Sequence, residues 1–202
     1  MQKEEQTAII ILAAGASTRL GTPKQLLPWG KCTLLENAID IATETRAGEV
    51  VVVTGANEQL IRSNTNRPEA QYVINDDWRS GMGSSISAGI RYLINHSANY
   101  ENALIMLCDQ PQADQKYLGR LIGLHDVKGK RITATSYQNQ AGVPAIFNRK
   151  YFDALLALSN KGGAKKLIQE HLADVHLIVP DFQLQDIDTR EDYERLLALL
   201  RP

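Results

Sequence analysis

The sequence predicts an α/β protein built on a mostly parallel sheet, and three observations carry that reading. Apolar runs of strand length alternate with longer amphipathic segments, which is the pattern of repeated βα units. The first run, Ile10-Ile11-Leu12-Ala13-Ala14, breaks into a loop of small residues, as strands of such sheets do before a nucleotide. A later run, Ala103–Leu107, stops at Cys108-Asp109-Gln110-Pro111. A carboxylate is thereby set at the carboxyl end of a strand, where open α/β sheets bind ligands.

The elements follow in order. Thr7–Ala13 reads as the first buried strand. Thr33-Leu34-Leu35-Glu36 has capping-box spacing and opens a helix to about Thr45. Glu49–Thr54 is a second buried strand that ends at Gly55, and Gln71–Ile74 is a short third strand. Ser84–Ile94 reads as a helix, Ala103–Leu107 as a fourth buried strand and Asp114–Leu124 as a helix. Arg131–Thr135 and Val143–Phe147 read as strands flanking a loop that contains Gly142. Arg149–Leu158 and Ala164–Leu172 read as helices, and His176–Val179 as a strand. Thr189–Leu200 is a terminal helix, with Thr189 and Asp192 spaced as a second capping box.

Composition narrows the function classes. The 202 residues suffice for one sizeable domain, and 44% apolar with 22% charged residues is ordinary for a globular protein. A formal net charge of −1 provides no basic field for nucleic acid. Two cysteines, Cys32 and Cys108, cannot make a disulfide framework, and Cys108 reads as a buried thiol. The polar start Met-Gln-Lys-Glu-Glu-Gln is unlike a signal peptide, and no apolar run has the roughly 18 residues of a membrane span. The expectation is a cytoplasmic protein without nucleic-acid or membrane partners. His96, His125, His171 and His176 show no ligand spacing and read as surface or structural residues.

The loop after the first strand carries the chemistry. Small residues let backbone N–H groups approach an anion closely, and Arg19 and Lys24 supply the neutralising charge. It is not a P-loop, because Thr22 and Pro23 follow Gly21 and Gln25 follows Lys24. It is not a dinucleotide fingerprint, because only Gly15 and Gly21 are available. Asp109 would repel a triphosphate unless it holds Mg²⁺, which bridges carboxylate and phosphates. Asp186-Ile187-Asp188-Thr189 precedes the last helix, where acids also favour the helix N-terminus. In Asn75-Asp76-Asp77-Trp78-Arg79-Ser80-Gly81-Met82-Gly83-Ser84-Ser85, the last two serines either reach a base or cap the helix, and Trp78 reads as core packing. The backbone of Thr54 and Gly55 ends on the same sheet edge.

These segments resemble the nucleotidyltransferases of glycosyltransferase-A-like fold, whose loop reads Leu-x-x-Gly-x-x-x-Arg-x-Gly-x-x-Lys. Leu12, Gly15, Arg19, Gly21 and Lys24 fill every fixed position. Over nearly the whole chain the resemblance is to the MobA-like, molybdenum cofactor nucleotidyltransferases, with the cytidylyltransferase branch the better match. It implies a three-layer α/β/α fold with a Rossmann-like, mostly parallel but mixed sheet of the nucleotide-diphospho-sugar transferase type. It implies one domain over 1–202, with residues 1–112 binding the nucleoside triphosphate and 113–202 the acceptor.

The resemblance also implies roles. Arg19, Lys24 and Asp109 are catalytic. Leu12, Ala13, Ala14, Gly15, Arg19, Gly21, Lys24, Thr54, Gly55, Asn75, Ser84 and Ser85 bind the nucleotide. Asp109 and Asp188 hold Mg²⁺, with Asp186 the weaker candidate of its pair. Guanylyl-transferring members read Leu-Ala-Gly-Gly and cytidylyl-transferring members Leu-Ala-Ala-Gly, so Ala14 points to CTP; its methyl narrows the space beside the base. The implied reaction is CMP transfer to molybdopterin or the molybdenum cofactor with release of pyrophosphate, followed by transient contact with a molybdoenzyme or its chaperone. GTP in place of CTP, a sugar phosphate or other small phosphorylated acceptor, a cofactor carrier or insertion chaperone, and a nucleotide sensor are the alternatives. Gly142-Val143-Pro144-Ala145-Ile146-Phe147 belongs to the acceptor half. Lys161-Gly162-Gly163-Ala164-Lys165-Lys166 either attracts a phosphorylated acceptor or is a solvated helix entry.

Overall fold

The computed structural model describes residues 6–96, 100–137, 140–158 and 163–200. β1 (Thr7–Leu12) is followed by a small hairpin, β2 (Pro28–Trp29) with β3 (Cys32–Thr33), and by α1 (Leu34–Glu44). Then come β4 (Val50–Thr54), α2 (Glu58–Asn64), β5 (Gln71–Ile74), α3 (Met82–His96), β6 (Asn102–Leu107) and α4 (Gln115–Leu124). The second half adds β7 (Ile132–Tyr137), β8 (Gln140–Asn148), α5 (Phe152–Leu156), α6 (Gly163–Glu170), β9 (Val175–Ile178) and α7 (Arg190–Ala198).

Seven strands form one mixed sheet in the order β5-β4-β1-β6-β8-β7-β9. β1 pairs in parallel with both β4 and β6, β4 with β5, and β7 with β9. β8 runs antiparallel to β6 and to β7. Side chains alternate across the sheet. Ala8, Ile10 and Leu12 of β1 meet α3, α5 and α6, while Ile9 and Ile11 meet α1, α2 and α4. Both faces are covered, which is why β1 is apolar from Ala8 to Leu12 rather than alternating. α7 lies apart from these layers and packs Tyr193 and Leu196 on Trp29, Leu34 and Ile187. Among the described residues no helix is long and apolar enough to cross a membrane.

Both predicted capping boxes form, at Thr33 with Glu36 and at Thr189 with Asp192. Gly142 is not in a loop but inside β8, opposite Thr135. The ladder passes from Ala134–Ala145 to Thr135–Gly142, so Val143 and Pro144 stand in a bulge and the missing N–H of Pro144 breaks no ladder bond. The helix expected over Arg149–Leu158 is divided into a 3-10 turn, Arg149–Tyr151, and the short α5. The β2–β3 hairpin and α2 lie where no element was predicted.

Candidate active site

The loop that leaves β1 is held from beneath. Gln25 is 1% exposed, and its Nε2 donates to the carbonyls of Ala13 (2.8 Å) and Gly15 (2.9 Å). Ser17, in the left-handed region at φ 54°, accepts from the Lys24 N–H at 3.0 Å. Gly21 takes φ 70°, a conformation that suits glycine. The Ala14 carbonyl accepts from Ala56 N–H at 3.0 Å and ties the loop to the end of β4. A Cβ at Gly15 would have nothing within 4 Å. Internal packing therefore does not require this glycine, and its open face lets a ligand approach the backbone.

The charged residues singled out from the sequence converge. Lys24 Nζ contacts the Asp109 carboxylate, lies 3.1 Å from Asp188 Oδ1 and donates to the Ile187 carbonyl at 3.2 Å. Arg19 Nη2 lies 2.9 Å from Asp188 Oδ2. β1 and β6 end side by side, with Leu12 opposite Leu107, so the loop and Asp109 emerge together. The Ile187 N–H donates to the Asp109 carbonyl at 3.0 Å, and the buried Ile187 side chain packs under α7. These contacts bring Asp188 across.

Burial raises the pKa of Asp109, and the Lys24 ammonium opposes that rise. Burial alone lowers the pKa of Lys24, but the Asp109 carboxylate outweighs it and the net shift is upward, so the ammonium persists. Burial, with Asp109 adding to it, pushes the Cys108 thiol up to about 12. Cys108 is thus a protonated packing residue beside the site, not a nucleophile.

A cleft of about 360 Å³ opens over these groups. Leu12, Ala13, Ala14 and Gly15 line one wall, and Trp78, Gly81, Met82 and Ser85 the other. Arg19, Lys24, Asp109, Asp186 and Asp188 supply its charge. Gly21, Thr54, Gly55, Asn75 and Ser84 stand outside this lining. Thr54 is fully buried and its carbonyl accepts from Asn75 N–H at 2.8 Å. Asn75 Nδ2 donates to Ser84 Oγ (2.8 Å) and Ser85 Oγ (3.0 Å), which fixes the start of α3. Ser84 Oγ donates at 2.8 Å to the carbonyls of Asp77 and Gly81 and lines a separate groove.

Trp78, expected in the core, is half-buried and lines the cleft. A Cβ at Gly55 would sit 2.6 Å from Trp78 Cβ and 3.0 Å from Ala14 Cβ, so this glycine lets the indole lie over the end of β4. Gln25 and Gln110 were not read as site residues from the sequence, whereas Gly81 and Met82 belong to the Asn75–Ser85 segment singled out there and line the cleft. Asp186, the weaker metal candidate of its pair, lines the same cleft as Asp188.

Two larger clefts adjoin this one. One, of about 390 Å³, runs past Met82, Val143 and Lys165. The other, of about 610 Å³, runs past Phe182, Leu184 and Arg19. Of the lysine–glycine segment, Lys161 and Gly162 lie outside the described residues, and Lys166 makes a surface pair with Glu170. His125 is buried between Thr133 and Asn102, and His96 stacks on Tyr92.

Among the described residues no group of three or more His, Cys, Asp or Glu could hold a metal ion by itself. An ion shared with phosphates needs fewer protein ligands, because phosphate and water oxygens complete its shell. Asp109 Oδ1 is buried without a hydrogen-bond partner, and Asp188 faces the same cleft. An unpartnered carboxylate oxygen and an all-oxygen donor set fit a hard divalent cation.

Comparison with known proteins agrees with this arrangement. The chain is 34% identical over 199 residues, 93% of its length and 95% of the relative, to nicotine blue oxidoreductase of Paenarthrobacter nicotinovorans. It is 32% identical over 82 residues, 40% of its length and 42% of the relative, to molybdenum cofactor cytidylyltransferase of Escherichia coli. The crystal structure of Rv0371c from Mycobacterium tuberculosis superposes with a TM-score of 0.85 at 30% identity, covering 96% of this chain and 97% of that one. Its manganese complex gives 0.79 at 28% identity, covering 96% and 98%. The MobA-like NTP transferase domain matches residues 9–175, most of the chain. With the loop, the paired cations and carboxylates and the mixed sheet all in place, the chain belongs to the MobA-like NTP transferase family.

Proposed function

We propose that this nucleotidyltransferase moves CMP from CTP to the terminal phosphate of molybdopterin, or of its metal-loaded form, and releases pyrophosphate. The observation that carries the reading is the meeting of Lys24 and Arg19 with Asp109 and Asp188 over one cleft. Arg19 and Lys24 hold the phosphates, and Lys24 stabilises the charge that develops as pyrophosphate leaves. Asp109 and Asp188 are the residues that would hold Mg²⁺, which supplies electrostatic relief to the triphosphate. The attacking phosphate is already an anion, so no general base is needed; in keeping with this, no histidine lines the cleft among the described residues. Catalysis is then positioning and charge stabilisation.

Ala14 supports CTP over GTP, since its methyl stands in the cleft wall against Gly55. Relatives named cytidylyltransferase and relatives named guanylyltransferase both match the chain, so the choice of base rests on Ala14. Residues 1–112 are assigned the nucleotide and 113–202 the acceptor, with the exception that Asp188 reaches back into the nucleotide cleft. The product would pass in the cytoplasm to a molybdoenzyme or its chaperone.

The deciding assay is pyrophosphate release with Mg²⁺ and molybdopterin, comparing CTP, GTP, ATP and UTP. Release with CTP alone supports the proposal, release with GTP overturns the base assignment, and silence with all four removes the acceptor. A second reading comes from the relative named nicotine blue oxidoreductase, which aligns over 93% of this chain. Reduction of nicotine blue by an added electron donor, without pyrophosphate release, would favour it.

A further inference from the structure

Asp186 is the one site carboxylate that the site's cations leave alone. Lys24 is engaged by Asp109 and Asp188, and Arg19 by Asp188. Asp186 receives instead a neutral amide: Gln110 Nε2 donates to its Oδ1 at 2.7 Å. Gln110 is 4% exposed, and its own Oε1 is buried without a partner. A buried amide with an unpaired carbonyl is costly, and is kept where it holds something in place. What it holds is an exposed carboxylate at the junction of three clefts. Asp186 lines the 360 Å³ nucleotide cleft and both of its neighbours. Gln110 and Tyr137 line the two neighbours and, with Asp186, form the partition between them.

A fixed carboxylate at that seam repels a bare phosphate acceptor. It becomes favourable only when the acceptor brings adjacent N–H or O–H donors beside its phosphate. Apolar walls flank the partition on both sides, Val143 and Met82 on one and Phe182 and Leu184 on the other. A flat heterocycle with a donor edge matches that combination. Resting on the proposed pterin acceptor, we infer that Asp186 is the residue that reads it, accepting hydrogen bonds from the amino-pyrimidinone edge of the ring. Gln110 is the positioning residue that aims the carboxylate.

The test uses the full chain and two probes, a phosphorylated 2-amino-4-oxopteridine and its analogue lacking the 2-amino group. Binding is followed by pteridine fluorescence, Mn²⁺ binding by electron paramagnetic resonance in the presence of CTP, and turnover by pyrophosphate release. Asp186→Asn keeps an acceptor for the Gln110 amide. It should weaken the aminopteridine about tenfold or more, as loss of a charged hydrogen bond does. The deamino analogue, CTP and Mn²⁺ should bind as before. Gln110→Met should raise the KM for the pteridine with little change in kcat. Equal pteridine affinity in Asp186→Asn and wild type would overturn the inference. Loss of Mn²⁺ binding in that variant would overturn it too, by making Asp186 a metal ligand. Should wild type itself fail to use any pteridine while releasing pyrophosphate with another phosphorylated acceptor, the proposed function falls first and the inference with it.

Discussion

Replacing Lys24 by methionine tests the centre of the site most directly. The variant keeps the length of the side chain and removes its charge. The lysine side chain is 15% exposed and that of Asp109 9%, so the pair is largely buried. Arg19 is already bonded to Asp188 and does not replace the lost ammonium. Removing one partner of a buried pair costs about 3–5 kcal/mol, because the other charge is left uncompensated. For a domain of this size each kcal/mol is about 2–4 °C, so the melting temperature at neutral pH should fall by about 6–20 °C.

The pH dependence sharpens the expectation. Burial raises the folded pKa of Asp109 above its ordinary value of 3.8, and Lys24 opposes that rise. A group whose folded pKa is raised destabilises the native state as pH climbs through that value, and in acid the effect vanishes. Without Lys24 the carboxyl should rise further and take up a proton, so the variant should regain much of its loss in acid. Lys24 itself has a raised folded pKa, so its contribution is complete below 10.5 and is lost only in strong alkali. Thermal unfolding followed by circular dichroism at pH 4.5 and pH 7.5 measures the gap. A melting temperature within about 2 °C of wild type at pH 7.5 would refute the buried-pair argument, given the sensitivity above. A gap equally large in acid would refute the assignment to Asp109.

Asp109→Asn should lower metal-dependent pyrophosphate release about 10²- to 10³-fold, the scale of losing one preorganised group, with native circular dichroism retained; full turnover would remove Asp109 from the site. Ala14→Gly should move the CTP-to-GTP ratio of kcat/KM toward GTP by no more than about 10- to 200-fold, the reach of a methyl in a pocket. An unmoved ratio would place base selection elsewhere. Gly55→Ala puts a methyl 2.6 Å from Trp78 Cβ, so overpacking of about 1–3 kcal/mol should appear in denaturant unfolding, together with weaker CTP binding.

The strands were legible because their signal is local. Every residue of β1 is buried, so after Thr7 it reads as an uninterrupted apolar run, and Thr33 with Glu36 declares a helix start within four residues. The charged site was legible for a related reason: Arg19 and Lys24 lie on one short loop, and Asp109 lies at a strand end marked by Pro111. What escaped depends on distant partners. α2 buries only Ile61 and starts after Asn57 with no side-chain cap, so neither periodicity nor capping announces it. The β2–β3 hairpin has two residues per strand and rests on Trp29 beneath α7. Gly142 and Pro144 look like loop residues until β7 supplies the bulge that accommodates them. Gln110 gains its significance only from an aspartate 76 residues away.

The charge balance of the site bears on how it would work under the proposed reading. Three carboxylates, Asp109, Asp186 and Asp188, face two cations, Arg19 and Lys24. Both cations are paired with carboxylates, so a triphosphate arriving alone must break those pairs to gain its own. A triphosphate arriving with a divalent ion brings a replacement cation for the carboxylates, and Lys24 and Arg19 become available to the phosphates. The exchange conserves the number of close opposite charges, which keeps its free-energy change small against the separate strength of each pair. It also gives the pairing a second use. Asp109 and Asp188 hold the Lys24 ammonium in place beside the loop, so little side-chain entropy is lost when the phosphates take it over. Asp186 takes no part in this exchange, because its partner is the neutral Gln110 amide, and that separation is what frees it to face the acceptor.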